Sequence, residues 1–453
     1  MTEPADASRR LTRLAYGLPA LPLAVMGIPM YLFLPAFYSA QLGLAGVGAV
    51  LLVARLWDVV TDPLIGTLGD RLDTPVGRRR LLMLIGAPLL LVSAWQLFRP
   101  PPDIGLTYLL IWGLVAYLGW TLIQLPYTAW GAELSTDYDQ RSGLTASREG
   151  FMLVGTLLAI GWPYIQAWLA GSSGRSPLEE PTAAALSGLA WIMVIMMPLC
   201  LALTFWRVPE RRQRTAPTGW LRGWQLLRRN RPFMRLLGAY VLNGMANGLP
   251  AAVFVMFVEH VIQAPEWTAA LLMAYFLSGV VALPGWLVLS RYLGKHRSWS
   301  LSMLWASLIF LWVPFLGAGD IYPYLAICIL SGASVAADMA LPAAIQADLV
   351  DLDTSEGGGG RTGLFFGLWN MATKLALALA VGIGFPALEL SGFHPDQSDV
   401  GNTMALALFY GAFPVVFKLA ATAMVWNFPI DRDAYTAIRA RVDRAEHQRD
   451  AAH

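Results

Sequence analysis

Asp58 and Asp62 stand one helical turn apart in the run 44–68, where most other residues are apolar enough to lie in a bilayer. An ionised carboxylate at bilayer depth costs at least about 2.5 kcal/mol, so two of them need a cation, a proton or a cavity to hold them. At i and i+4 both project from one helix face. Two carboxylates with a hydroxyl or carbonyl make a hard oxygen site for a small cation, Na⁺ among them, and the same pair can instead share a proton between close like charges. Two plainer readings stand beside these: Asp58 pairs with Arg55 three residues earlier, or Asp62 caps a helix end before Pro63.

Further polar residues break apolar runs. Thr121, Gln124 and Tyr127 recur within two turns and are flanked by Trp120 and Trp130, a face that can hydrogen-bond and stack on a ligand. Gln124 can also simply join two helices. Lys374 is the one basic residue deep in the run 363–388 and follows Asn370 by one turn, with Trp369 beside it. A buried ammonium needs an anionic partner or a wet cavity. Lys418 is expected to snorkel to an interface. Arg148 and Glu149 reach a cavity mouth or pair with a neighbouring loop.

The elements that must position these groups are membrane spans. With 453 residues, 56% hydrophobic and 14% charged, the chain is far too apolar for a soluble protein of this size. Apolar windows predict an all-α membrane protein of twelve transmembrane helices, near 14–38, 44–68, 81–98, 106–131, 146–170, 185–206, 234–258, 267–290, 299–318, 321–347, 363–388 and 402–428. Charge tests the count: with both termini cytoplasmic, inner segments hold 27 of the 32 Lys and Arg, and a miscounted helix would scramble that parity. Cys200 and Cys328 both lie in apolar runs and read as packing.

The chain divides into an N-terminal six-helix bundle at 1–206, a cytoplasmic linker at 207–233, a C-terminal six-helix bundle at 234–430 and a cytoplasmic tail at 431–453. In the linker, Trp220, Leu221, Trp224 and Leu227 recur at helical spacing among arginines, the pattern of an amphipathic helix on anionic headgroups. The halves echo each other: Pro126, Glu133-Leu134, Asp137, Asp139 and Arg141 against Pro342, Asp348-Leu349, Asp351, Asp353 and Arg361, and more weakly Gly66 to Arg80 against Gly285 to Arg297. Such duplication in transporters places a substrate cavity between bundles near the membrane midplane.

The stretches ARLWDVVTDPLIGTLGDRLDTPVGRRRLLMLIG, TLIQLPYTAWGAELSTDYDQRSGLTASREGF and RTGLFFGLWNMATKLALALA resemble the glycoside-pentoside-hexuronide:cation symporter family of the major facilitator superfamily, over essentially the whole chain. The resemblance implies that Asp58 and Asp62 carry a coupling ion, Na⁺ or H⁺, with Thr121 contributing oxygen. It implies a substrate face including Trp120, Gln124, Tyr127, Trp369, Asn370 and Lys374. It also implies a gating loop of Asp70, Arg71, Arg78, Arg79 and Arg80, where arginines equally serve to hold the loop inside; Arg141, Arg148, Asp351 and Arg361 are further inner-face gating candidates. GGGG at 357–360 reads as a flexible turn. One departure matters: sugar-transporting members carry an aspartate where this chain has Gln124 and another acid on the first span, here near Ala24.

Enzyme signatures are missing: there is no P-loop, His-Glu-x-x-His or Gly-x-Ser-x-Gly, and His260, His296, His394, His447 and His453 fall in loops, span ends or the tail. Neither a catalytic residue nor a cofactor other than the coupling ion is expected. The expected function is secondary active symport of a sugar or glycoside-like solute by alternating access, as a monomer in a bacterial inner membrane, with the cation, the solute and the bilayer as partners and no nucleic acid. A lipid-like or amphiphile carrier on the same fold is one alternative, favoured by the acid-free first span. A non-transporting membrane receptor or scaffold is another.

Overall fold

The computed structural model describes residues 3–72, 74–135, 137–169, 182–210, 228, 230–355, 362–390, 400–429, 434 and 436–437. Its helices are α1 (Glu3–Gly17), α2 (Ala20–Ile28), α3 (Val47–Arg71), α4 (Arg78–Phe98), α5 (Leu106–Leu134), α6 (Tyr138–Leu169), α7 (Ala183–Arg207), α8 (Arg231–Phe257), α9 (Thr268–Leu293), α10 (Lys295–Phe310), α11 (Ile321–Ser355), α12 (Thr362–Leu390) and α13 (Val400–Val425). The amphipathic segment around Trp220 to Leu227 and the GGGG run lie outside the described residues.

Eleven helical stretches among the described residues are long and apolar enough to cross a membrane, the first being Arg10–Tyr31 across the α1–α2 junction. The remaining long helix is α3, which fails only because Arg55, Asp58, Asp62, Asp70 and Arg71 share its 25 residues. The chain is thus a multi-pass membrane protein, and the helix holding the paired acids carries five charged residues. The first span, expected as one helix, is interrupted: a turn at Leu18–Pro19 separates α1 from α2, and π-helical turns follow at Pro29–Phe33 and Phe37–Gln41. Several helices run past their apolar windows, α11 reaching Ser355 and α6 starting at Tyr138. Their added turns are polar, and there Asp348 accepts from Lys295 Nζ at 2.6 Å and Arg141 Nε donates to the Ser135 carbonyl at 2.7 Å.

By contacts the chain forms two compact units, Met1–Gly223 with Gly357–Asn370, and Trp224–Glu356 with Met371–His453. In the first, α4 packs on α5 and α7, α3 on α5, and α2 on α6 and α7. In the second, α10 packs on α11 and α13, α9 on α11, and α8 on α13. There α8 also meets α12, since Gly244 and Gly248 stand against Ala376 and Ala380. Five helix pairings therefore recur with the same order along the chain. The entry to the third long span of each unit recurs too: Gly77 (φ +106°) precedes α4 and Gly294 (φ +84°) precedes α10, backbone conformations that favour residues without a Cβ. The second unit's core centres on Phe257, stacked on Tyr410 at 4.4 Å, with Tyr324 donating to the Tyr410 hydroxyl at 2.8 Å.

Candidate ion-coupling site

Helix α3 is continuous through Pro63, so Asp62 lies inside a helix and does not cap an end. Pro63 lacks an N–H, which deprives the backbone carbonyl of residue 59 of its usual helical donor. Asp58 and Asp62 are 3% and 0% exposed, and Thr121, at 1%, faces both from α5. Its hydroxyl lies 2.7 Å from Asp58 Oδ1 and 3.0 Å from Asp62 Oδ1. One hydroxyl carries one proton and donates fully to one acceptor at a time. A monovalent cation or an extra proton among the three oxygens can satisfy both contacts and offset one of the two charges. Thr61 fastens the same turn, its hydroxyl donating to the Asp58 carbonyl at 3.1 Å. The Arg55 guanidinium lies over the Tyr31 ring, 4.4 Å from its centroid.

Gln124 sits one turn beyond Thr121, and its Oε1 is buried with no protein partner among the described residues. Trp120 lies against Gly27 of α2, where a Cβ would stand 3.2 Å from the indole. Tyr127 is fully buried and tied to Tyr16: each hydroxyl donates to the other residue's carbonyl, at 2.5 and 3.1 Å, and the rings are 4.9 Å apart. Trp369 is buried and Asn370 half-buried, both at the end of the α12 segment that belongs to the first unit. Lys374, half-buried, falls in the second unit.

At the other end of α3, Asp70 is 8% exposed. Its Oδ1 accepts from Arg79 Nη2 and from the Gly363 N–H, both at 2.8 Å, and its Oδ2 accepts from the Leu364 N–H at 3.1 Å. The first N–H groups of a helix have no intrahelical partner and favour negative charge, so Asp70 caps α12. The backbones come close at this contact: a Cβ on Gly66 would run into the Gly363 carbonyl, and one on Gly367 would stand 3.2 Å from the Asp62 carbonyl. Arg79 and Arg78 also donate to Glu133 Oε1, at 2.7 and 2.8 Å. Glu210 caps the next helix, accepting from the Arg79 N–H at 2.8 Å and the Arg80 N–H at 3.3 Å.

Of the other inner-face candidates, Arg71 is exposed, while Arg141 is buried and donates through Nε to the Ser135 carbonyl at 2.7 Å. Arg148 pairs with its own neighbour Glu149, Nε to Oε1 at 2.9 Å. Asp351 is buried in the second unit. Arg361 lies outside the described residues.

Lys418 corrects the snorkelling expectation. It is 3% exposed, and its ammonium donates to Asp338 Oδ2 at 3.0 Å and Asn243 Oδ1 at 2.9 Å. Sequence reading also missed Tyr16, Glu133 as a charge partner, and Glu210. Asp338 carried a legible signal, being an acid inside an apolar run. Glu210 carried none until the fold brought it to the start of α4.

A family model described as MFS/sugar transport protein matches residues 15–432. The chain is 24% identical to a human sodium-dependent lysophosphatidylcholine symporter, covering 95% of this chain and 88% of that protein. It is likewise 24% identical to a sphingosine-1-phosphate transporter of Xenopus tropicalis, over 93% of this chain and 88% of that one. The crystal structure of the E. coli fucose:proton symporter superposes with a TM-score of 0.64 at 13% identity, covering 91% of this chain and 98% of its own.

Proposed function

This chain belongs to the MFS/sugar transport protein family, and from that premise we propose that it is a Na⁺-coupled symporter of a lysolipid-like amphiphile. The observation that carries the coupling is the buried triad: two carboxylates on one turn of α3, both within hydrogen-bond distance of Thr121. Na⁺ among these oxygens cancels one of the two negative charges and lowers the electrostatic penalty of holding both acids in a membrane span. The same rigid helix presents Asp70 to the start of α12 about 12 Å further on, so a change of occupancy at Asp62 and the grip on α12 act on one element. Alternating access follows when the loaded and ion-free forms favour different arrangements. Sodium is preferred to the proton because the lysophosphatidylcholine relatives are named as sodium-dependent.

The substrate class rests on the polar groups that are present. Asp residues suited to gripping several hydroxyls are absent from the first span and from position 124. Gln124 instead offers a buried carbonyl acceptor with no partner among the described residues, which suits a single hydroxyl or N–H donor of a glycerolipid headgroup. The names of the relatives favour the amphiphile over the glycoside. Gating falls to Asp70, Arg78, Arg79 and Glu133, while Tyr127 serves packing against Tyr16. Both termini lie on the cytoplasmic side, in a bacterial inner membrane.

The test is uptake into proteoliposomes with an imposed Na⁺ gradient, using labelled lysophosphatidylcholine and a labelled galactoside. Na⁺-driven accumulation of the lysolipid, lost in Asp58→Asn and Asp62→Asn, is expected. Galactoside uptake in its place removes the substrate assignment, and full gradient-driven accumulation in both variants removes the coupling site.

A further inference from the structure

The second unit holds a charge cluster that the coupling site does not use. Asp338 on α11 accepts from Trp299 Nε1 of α10 at 2.9 Å through Oδ1. Through Oδ2 it accepts from Asn247 Nδ2 of α8 at 3.1 Å and from Lys418 Nζ of α13 at 3.0 Å. Lys418 in turn donates to Asn243 Oδ1 of α8. The side chains of Lys418 and Asp338 are only 4% and 5% exposed. Four helices therefore meet at one internally balanced pair whose carboxylate oxygens are both occupied by donors.

Those three donors decide between two roles, binding a solute and fixing the helices. A carboxylate that accepts from an ammonium, an indole N–H and an amide has most of its acceptor sites turned to the protein and few to a solute. In a membrane, apolar packing alone discriminates poorly between neighbouring helix registers, because lipid is as apolar as the helices. A buried ion pair does discriminate: sliding α13 by one turn, about 5.4 Å, strands both charges in a low-dielectric interior. We propose that Asp338 and Lys418 form a registry lock that fixes α8, α10, α11 and α13 as one block. The lock has polarity. Trp299 Nε1 and the ammonium can only donate, so the acid must stand on α11 and the base on α13.

Thermal unfolding of the detergent-purified full chain, with and without Na⁺, tests this. Asp338→Asn and Lys418→Met each strand the partner's charge and are expected to lower the melting temperature by on the order of 10 °C. The double variant Asp338→Asn/Lys418→Met is expected to melt above either single variant and to keep whatever Na⁺-induced shift the native chain shows. The exchange Asp338→Lys/Lys418→Asp is expected to stay as unstable as the singles, since Trp299 would then point its N–H at an ammonium. A double variant that melts no higher than the singles overturns the lock, and so does an exchange that restores native stability. A double variant that melts like the native chain but loses its Na⁺ shift assigns the pair to ion coupling instead. The melting comparison among variants stands whether or not Na⁺ binds at Asp58 and Asp62.

Discussion

Neutralising Asp62 should make the ion-free protein more stable while removing its response to Na⁺. Two contacts of 2.7 and 3.0 Å to one hydroxyl hold the Asp58 and Asp62 oxygens no farther apart than the sum of those lengths. At about 5 Å and an effective dielectric near 20, two ionised carboxylates repel by roughly 3 kcal/mol. Both residues are almost fully enclosed, so solvent screening takes little of it. Asp62→Asn keeps the shape and an acceptor for Thr121 while deleting that repulsion. In choline buffer the variant is expected to melt roughly 5–10 °C above the native chain. Adding Na⁺ at about a hundred times its dissociation constant should stabilise the native chain by about 2.7 kcal/mol and leave the variant unmoved. Differential scanning fluorimetry on both proteins in matched choline and sodium buffers measures all four values. A variant that melts below the native chain in choline, yet still gains stability in Na⁺, refutes the paired-carboxylate reasoning.

Four further outcomes follow from the same geometry. Thr121→Val replaces the bridging hydroxyl by a methyl group and forfeits a charge-assisted contact of about 1.5–3 kcal/mol; Na⁺ titration should show an apparent dissociation constant raised roughly ten- to a hundredfold. Gly66→Ala places a Cβ on the Gly363 carbonyl; because backbone must move there, uptake should fall severely, whereas Gly48→Ala on the same helix, with open space around it, should leave uptake unchanged. Tyr127→Phe loses the bond to the Tyr16 carbonyl and should lower stability by about 1 kcal/mol with native substrate KM. Gln124→Leu should do the reverse, raising KM for lysolipid with little change in melting temperature.

What could be read along the chain was whatever obeys helical periodicity or violates bilayer chemistry. The twelve spans follow from apolar run length, and the Asp58–Asp62 pair from its incongruity within one. The repeat was legible from Pro126 with Glu133 against Pro342 with Asp348, and the fold gives it a physical meaning: Arg78 and Arg79 reach Glu133 just after one left-handed glycine, and Lys295 reaches Asp348 at 2.6 Å just after another. Partnerships between residues far apart in sequence were not legible. Lys418 read as a snorkelling lysine because its sequence neighbours are apolar; only the fold brings an acid of α11 and an amide of α8 to it. Asp70 read as part of a basic loop, yet two of its three acceptor contacts are backbone N–H groups almost three hundred residues away. Backbone donors carry no residue identity, so no pattern of side chains could announce them. The same holds for Gly66 and Gly363, whose significance is an absence of atoms that matters only where two helices touch. A carboxylate in a span can be recognised from its penalty alone, whereas its role depends on what relieves that penalty. Asp62 shares one hydroxyl with Asp58, whereas Asp338 accepts from an indole N–H, an amide and an ammonium.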